Sequence, residues 1–183
     1  MNENFSTIKP SKIAINYGLF FGIIMILEFV LSYSFNIDPQ ENKFFGIIIN
    51  LLNYVILPFI LIYLAANKYK QFHNNGFITL SETMKIGTLV CAFSALIYGV
   101  FYILFDFIDP SFKEEVFEKI KEVTVKDNPQ ITSEQLRISL KFVKMFMNPF
   151  VLLPFSIIMY SLVGIIHSLI VGAIVKKNKP IFE

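Results

Sequence analysis

The residue in this chain best placed to do chemistry is Glu28. It sits inside an apolar run from Ile13 to Phe35, about seven residues, or roughly 10 Å, from one end at 1.5 Å per helical residue. If that run crosses a bilayer, an ionised carboxylate at such depth costs about 2.5 kcal/mol or more. The side chain should therefore face other helices or carry a proton. Partners of the right type occur at matching depth in the other apolar runs: Asn50 and Asn53, Tyr98 and Tyr102, and Ser156 and Tyr160. One acid among amides and hydroxyls can clamp helices together by hydrogen bonds, which is the plainer reading. It can also carry a proton or hold a small ligand. Either way the pattern predicts a buried polar cluster of Glu28, Asn50, Asn53, Tyr98, Tyr102 and Tyr160.

Other chemistry is thinly represented. The two histidines are His73 and His167. His167 lies near the opposite end of its run, roughly 10 Å or more from the level of Glu28, so the two should not form a pair. It reads as a packing residue. Cys91 is the single cysteine, which excludes an internal disulfide and any cysteine metal framework. It reads as a small apolar residue on a helix. The chain has no phosphate-binding Gly-rich loop, no Gly-x-Ser-x-Gly elbow and no His-Glu-x-x-His. A nucleophile, a base and an orienting group cannot be assembled from motifs. The expectation is therefore a non-enzyme with no cofactor and no metal. An enzymatic role for Glu28 would need a second titratable group within hydrogen-bond reach.

The elements that must position these residues follow from composition. The chain has 183 residues, of which 55% are hydrophobic and only 16% charged, and Phe alone accounts for 21. Its mean hydropathy is +0.60. A soluble domain carries about 25% charged residues, and one of this size still exposes roughly 30% of its chain surface to water. Lipid is the natural solvent for the excess. The net charge of +2 and the lack of a basic stretch interleaved with aromatics argue against nucleic acid.

A spanning helix needs about 20 mostly apolar residues. Four windows qualify: Ile13 to Phe35, Phe44 to Ala66, Lys85 to Phe107 and Phe150 to Val175, each 23 to 26 residues long. They are flanked by Pro10, Asp38-Pro39, Asn67-Lys68, Asn74-Asn75-Gly76, Asp109-Pro110, Pro149 and Lys176-Lys177. The expected fold class is all-α: one polytopic membrane domain over residues 1–183, with four transmembrane helices. The first window is too long for the core of a cleaved signal peptide, and Ser32-Tyr33-Ser34 is a poor cleavage site. Pro58 removes a helical hydrogen bond one turn earlier, near Tyr54, and can widen the space around Asn53.

The connection over residues 109–148 reads as two amphipathic helices outside the membrane. Ser111 with Glu114 and Thr132 with Gln135 are candidate capping boxes. Phe112, Val116, Phe117, Ile120 and Val123 form one apolar face, and Leu136, Leu140, Val143 and Met147 the other. These faces should pack on each other and on the membrane surface, or form a docking or gating cap. Orientation follows from short basic flanks. Lys9, Lys12, Lys68, Lys70, Lys85, Lys176, Lys177 and Lys179 fall on one side of a four-span chain, which places both termini in the cytoplasm. Lys43 stands beside Asp38 and Glu41 on the other side. In the long third connection, seven cations are balanced by seven acids.

Small residues recur at intervals of four: Gly18 and Gly22; Gly87, Cys91, Ala95 and Gly99; and Gly164, Ser168 and Gly172. In lipid such stripes let helices approach closely. They predict a compact bundle and could also form a homodimer face.

The string from Gly76 to Gly87, Gly-Phe-Ile-Thr-Leu-Ser-Glu-Thr-Met-Lys-Ile-Gly, stands just before the third window. With Phe107-Ile108-Asp109-Pro110 after that window and Met147-Asn148-Pro149 before the fourth, it resembles the signature of an uncharacterised membrane family of Gram-negative bacteria, domain-of-unknown-function family 4199. The resemblance spans nearly the whole chain. It implies a four-span inner-membrane protein and transfers no catalytic residue. Read physically, Thr79 with Glu82 is a capping box, and Gly76 permits a tight turn before it.

Two functional readings follow. One is a structural or accessory protein that associates with itself or another membrane protein through its small-residue stripes or outer helices. The other is a small transporter or proton-coupled ligand binder built around Glu28, which requires a water-accessible cavity reaching that residue. Both rest on the bilayer. A purified chain that remained monomeric and folded in buffer without detergent would contradict the four spans.

Overall fold

The structure is a computed structural model that describes residues 9–37 and 42–179. Asp38-Pro39 and Glu41, expected to break the chain and to balance Lys43, lie outside the described residues. Among the described residues there are six helices: α1 (Pro10–Ser34), α2 (Lys43–His73), α3 (Leu80–Ile108), α4 (Phe112–Asp127), α5 (Ser133–Phe146) and α6 (Pro149–Val175). Of these, α1, α2, α3 and α6 are long and apolar enough to cross a membrane, with window hydropathies of 2.1 to 2.3. The chain is an all-α, multi-pass membrane protein. The β-type pairing among the described residues is one isolated bridge between Ile78 and Lys177.

That bridge also fixes which ends lie together. Ile78 and Lys177 exchange two backbone bonds of 2.9 Å, and Lys70 donates to the Val175 carbonyl at 2.8 Å. Lys68 stands over the Tyr17 ring, 5.8 Å from its centroid. The start of α1, the end of α2, the start of α3 and the end of α6 therefore share one end, called inner here. The basic flanks gather there, and α4 and α5 occupy the outer end.

Two spans run past their expected limits. Helix α2 continues beyond Ala66 to His73, with Tyr69 buried and the half-buried Lys70 donating to the Val175 carbonyl. Helix α3 starts at Leu80, before the apolar window that opens at Lys85, because the expected Thr79–Glu82 capping box forms: Glu82 N donates to Thr79 Oγ1 at 3.2 Å, and Thr79 N donates to Glu82 Oε2 at 2.8 Å. Gly76 just before it has φ +81°, a conformation glycine adopts without strain.

Helix α3 is the spine, with α1 on one side and α6 on the other. A Cβ added at Gly18 would stand 2.7 Å from the Val90 carbonyl oxygen, and one at Gly22 would stand 2.7 Å from Ile97 Cβ. One at Gly164 would collide with the Gly87 carbonyl oxygen and lie 3.0 Å from Thr88 Cα. Gly99 faces Leu153, and Gly172 faces Leu80. Cys91 and Ser168 are fully buried, and Ala95 nearly so. All three stripes are thus occupied by contacts within the chain. A homodimer face would have to be built from other residues.

Helix α2 is attached unevenly. Its inner half buries Pro58, Leu61, Ile62, Ala65, Ala66 and Tyr69. Its outer half buries only Gly46 and Asn53. The change falls at a π-helical turn, Leu52–Ile56, directly before Pro58. A proline lacks the amide hydrogen its helix needs and crowds the preceding turn; widening that turn is one relief.

Outside the spans, α5 begins with the expected box. Gln135 N donates to Thr132 Oγ1 at 3.2 Å, and Thr132 N donates to Gln135 Oε1 at 3.0 Å. The box expected at Ser111 and Glu114 does not form. Ser111 has helical backbone angles and no capping bond. Its hydroxyl and amide instead donate to Asp109 Oδ1 at 2.7 and 3.1 Å, because the preceding carboxylate competes for the same hydroxyl. Leu136, Leu140, Val143 and Met147 are half-buried, while Ile138, Phe142 and Met145 form a second, exposed apolar stripe on α5. Phe112 anchors α4, its ring edge-on to Phe29 and Phe105 with centroids 5.4 and 5.3 Å apart.

The backbone contact at Gly164 makes it the sharpest test of this packing. Gly164→Ala should destabilise the bundle by about 1–3 kcal/mol, as overpacking does in dense cores. The check is thermal unfolding in detergent, followed by reaction of the buried Cys91 with a thiol dye. An unchanged midpoint would contradict the close α3–α6 approach.

Candidate functional site

The uneven attachment of α2 leaves a cavity of about 440 Å³ in the outer half of the bundle. Helices α1, α2 and α3 form its walls, Tyr160 of α6 closes its inner side, and Phe112, Glu115, Val116 and Lys119 of α4 lie across its outer side. Glu28 and Asn53 both line it.

The polar centre is a direct bond between two spans. Asn53 Nδ2 donates to Glu28 Oε2 at 2.6 Å and to the Ile49 carbonyl at 3.1 Å. Both donors of the amide are used, and its Oδ1 is buried with no partner. Asn53 itself is 6% exposed. Turning the amide over would bring Oδ1 against a carboxylate and a carbonyl, so the two acceptors fix its orientation. Glu28 is half-buried. Ser32, one turn on, donates to the Glu28 backbone carbonyl at 2.8 Å and also lines the cavity.

The remaining expected residues divide. Tyr98, Tyr102 and Tyr160 are brought to the cavity wall. Tyr160 is buried and its ring lies 5.2 Å from that of Tyr54. Asn50 also lines the cavity but is exposed, and it donates to the Gly46 carbonyl of its own helix at 2.9 Å, not to Glu28. Ser156 donates to the Leu153 carbonyl at 2.9 Å and stays off the wall. His167 Nδ1 lies 2.9 Å from the Val163 carbonyl oxygen, satisfied on its own helix. Among the described residues, no three His, Cys, Asp or Glu groups are grouped to hold a metal ion.

Sequence reasoning missed Tyr54 as a wall residue, and it missed Glu115 and Lys119. Tyr54 stands four residues after Asn50, as Asn53 does after Ile49, so these four residues share one face of α2. Glu115 and Lys119 are four apart on α4 and so share a face, but nothing in the sequence says that face lies over the bundle.

Three side-chain links hold α4 over the cavity. Tyr33 donates to Asp109 Oδ2 at 2.8 Å. Lys113 pairs with Asp106 at 2.6 Å. Lys43, at the start of α2, reaches both oxygens of Asp127, at the end of α4, at 3.0 Å. The bond from the Ser111 hydroxyl, then that from Tyr33, hold the Asp109 carboxyl below the usual carboxylate range. Its contribution is therefore complete above the ordinary carboxylate range and fades as pH falls through its lowered value.

The family described as "Protein of unknown function (DUF4199)" matches residues 16–177. The chain belongs to that family. No curated protein and no solved structure gives a match. The DUF4199 match begins inside α1 and ends just after α6, so it takes in all four spans and every cavity residue named above.

Chemically, the cavity offers the Glu28 carboxylate at its floor, Glu115 and Lys119 on its outer side, and several aromatic rings between. The side chain that bonds the carboxylate is an amide, which neither gives up nor accepts a proton at neutral pH. The arrangement suits binding more than bond-breaking. Asn53→Ala should lower stability by about 1–3 kcal/mol, because it leaves the Glu28 carboxylate without this donor. Asn50→Ala should change it by less than about 0.5 kcal/mol. Equal effects at the two positions, read by thermal unfolding, would contradict the Glu28–Asn53 bond.

Proposed function

We propose that this chain is a non-enzymatic, multi-pass protein of the inner (cytoplasmic) membrane that binds a small molecule in the cavity between α1, α2, α3 and α4. The observation that carries this reading is the cavity itself. It reaches Glu28 and Asn53 in the outer half of the bundle, as a ligand- or proton-handling role requires, and its volume falls in the range of small-molecule sites, roughly 300–1,000 Å³. Its lining is mainly aromatic and aliphatic with a few convergent polar groups, the usual make-up of such sites. A purely structural role through the small-residue stripes has less support, because those stripes already face neighbours within the chain.

The orientation belongs to the same proposal. The basic flanks meet at the inner end of the bundle, which favours cytoplasmic termini and opens the cavity region toward the opposite side.

Cysteine labelling tests both parts. In a Cys91→Ala background, Tyr102→Cys should react with a membrane-impermeant thiol reagent added outside intact cells. Val100→Cys, on the exposed apolar face of the same helix, should react at least about tenfold more slowly, because a thiol in lipid does not ionise. Lys179→Cys should react only after the membrane is permeabilised. Equal reactivity at positions 102 and 100 would remove the ligand-binding reading, and labelling of position 179 from outside would reverse the orientation.

A further inference from the structure

The chemistry of the cavity floor narrows what could bind there. The floor presents acceptors. Both amide hydrogens of Asn53 are committed to Glu28 and Ile49 and its Oδ1 is buried and unpartnered, so the charged group that lines the floor is the Glu28 carboxylate. A buried acceptor without a donor is unfavourable, and a carboxylate within a membrane is more so. The carboxylate would be relieved by a ligand group that carries N–H donors and a positive charge.

The walls fit the same group. Tyr54, Tyr98, Tyr102 and Phe29 line the cavity, and Phe29 meets the Tyr98 and Tyr102 rings edge-on at 6.4 Å. Aromatic faces attract cations, most strongly where water is excluded. They also accept an apolar body. At the floor an anionic ligand would be repelled by the Glu28 carboxylate, and a neutral apolar one would bury that carboxylate uncompensated; the cation Lys119 and the acid Glu115 lie on the outer wall.

Resting on the ligand-binding reading above, we infer that the cavity takes an organic ammonium ion with an apolar body. The ammonium group meets the Glu28 carboxylate, which Asn53 holds in place, and the body packs against the Tyr and Phe rings.

The test is isothermal titration of the full chain in nanodiscs of zwitterionic lipid with three probes that share one phenyl body. These are 2-phenylethylammonium, 2-phenylethanol and 3-phenylpropanoate at neutral pH. The ammonium should bind about tenfold or more tightly than the alcohol, corresponding to about 1.4 kcal/mol, and the carboxylate should bind more weakly than either. In Glu28→Gln the ammonium should lose that advantage while the alcohol binds as before. An alcohol or carboxylate that binds the native chain as tightly as the ammonium overturns the inference. So does an ammonium preference that survives Glu28→Gln. If Tyr102→Cys is labelled in its cavity yet the ammonium does not bind, the ligand class is wrong and the cavity reading stands. If neither labelling nor binding is seen, both fall. The probe series on the native chain decides the matter even if Glu28→Gln fails to fold.

Discussion

Pro58 has no amide hydrogen to offer, so the carbonyl one turn before it loses its regular partner at a depth where lipid supplies no other donor. The helix answers by widening. Leu57 N reaches back to the Leu52 carbonyl, five residues earlier, and Leu52–Ile56 becomes a π turn. The inner half of α2 packs fully below that turn, while the outer half buries little above it. Asn53 sits in the turn and faces Glu28 on α1. The cavity, its polar floor and the exposure of the outer α2 surface all follow from this local accommodation.

The rest of the bundle is rigid by contrast. Gly18, Gly22, Gly87 and Gly164 let α1 and α6 approach the backbone of α3 more closely than any side chain would allow, and dense packing of this kind replaces the hydrophobic force that lipid does not provide between helices. A tight three-helix frame with one half-detached helix can hold a cavity open without exposing irregular backbone to lipid. The outer helix α4 completes it, held by Tyr33–Asp109, Lys113–Asp106 and Lys43–Asp127. The last of these is an exposed pair and contributes little by itself.

Much of this architecture is legible in the residues. Long apolar runs place the four spans, and the Thr79–Glu82 and Thr132–Gln135 boxes mark two helix starts that form as expected. The intervals of four at Gly18, Gly87 and Gly164 mark close helix contacts, although they do not say whether the partner is the same chain. Glu28 stands out because a carboxylate inside an apolar run demands an explanation, and Asn53 follows by depth. The remainder depends on tertiary context. Tyr54 shares the face of Asn50 by ordinary spacing of four, but its place on the wall depends on which neighbours leave that face open. Asn50, at a similar depth, turns back to its own helix at Gly46. Ser111 fails as a cap because Asp109, two residues earlier, takes its hydroxyl. The position of α4 over the bundle is set by Phe112 among distant rings, and no local pattern encodes it.

The account turns on water reaching the outer half of α2 at the π turn, and hydrogen exchange of the chain in lipid nanodiscs measures this most directly. Amides over residues 49–56 should exchange at least about tenfold faster than those over residues 88–95 of α3, whose neighbours exclude solvent, and Pro58→Leu should slow the former by restoring the regular helix. Equal protection of the two segments in the native chain would contradict a water-filled cavity floored by Glu28 and Asn53.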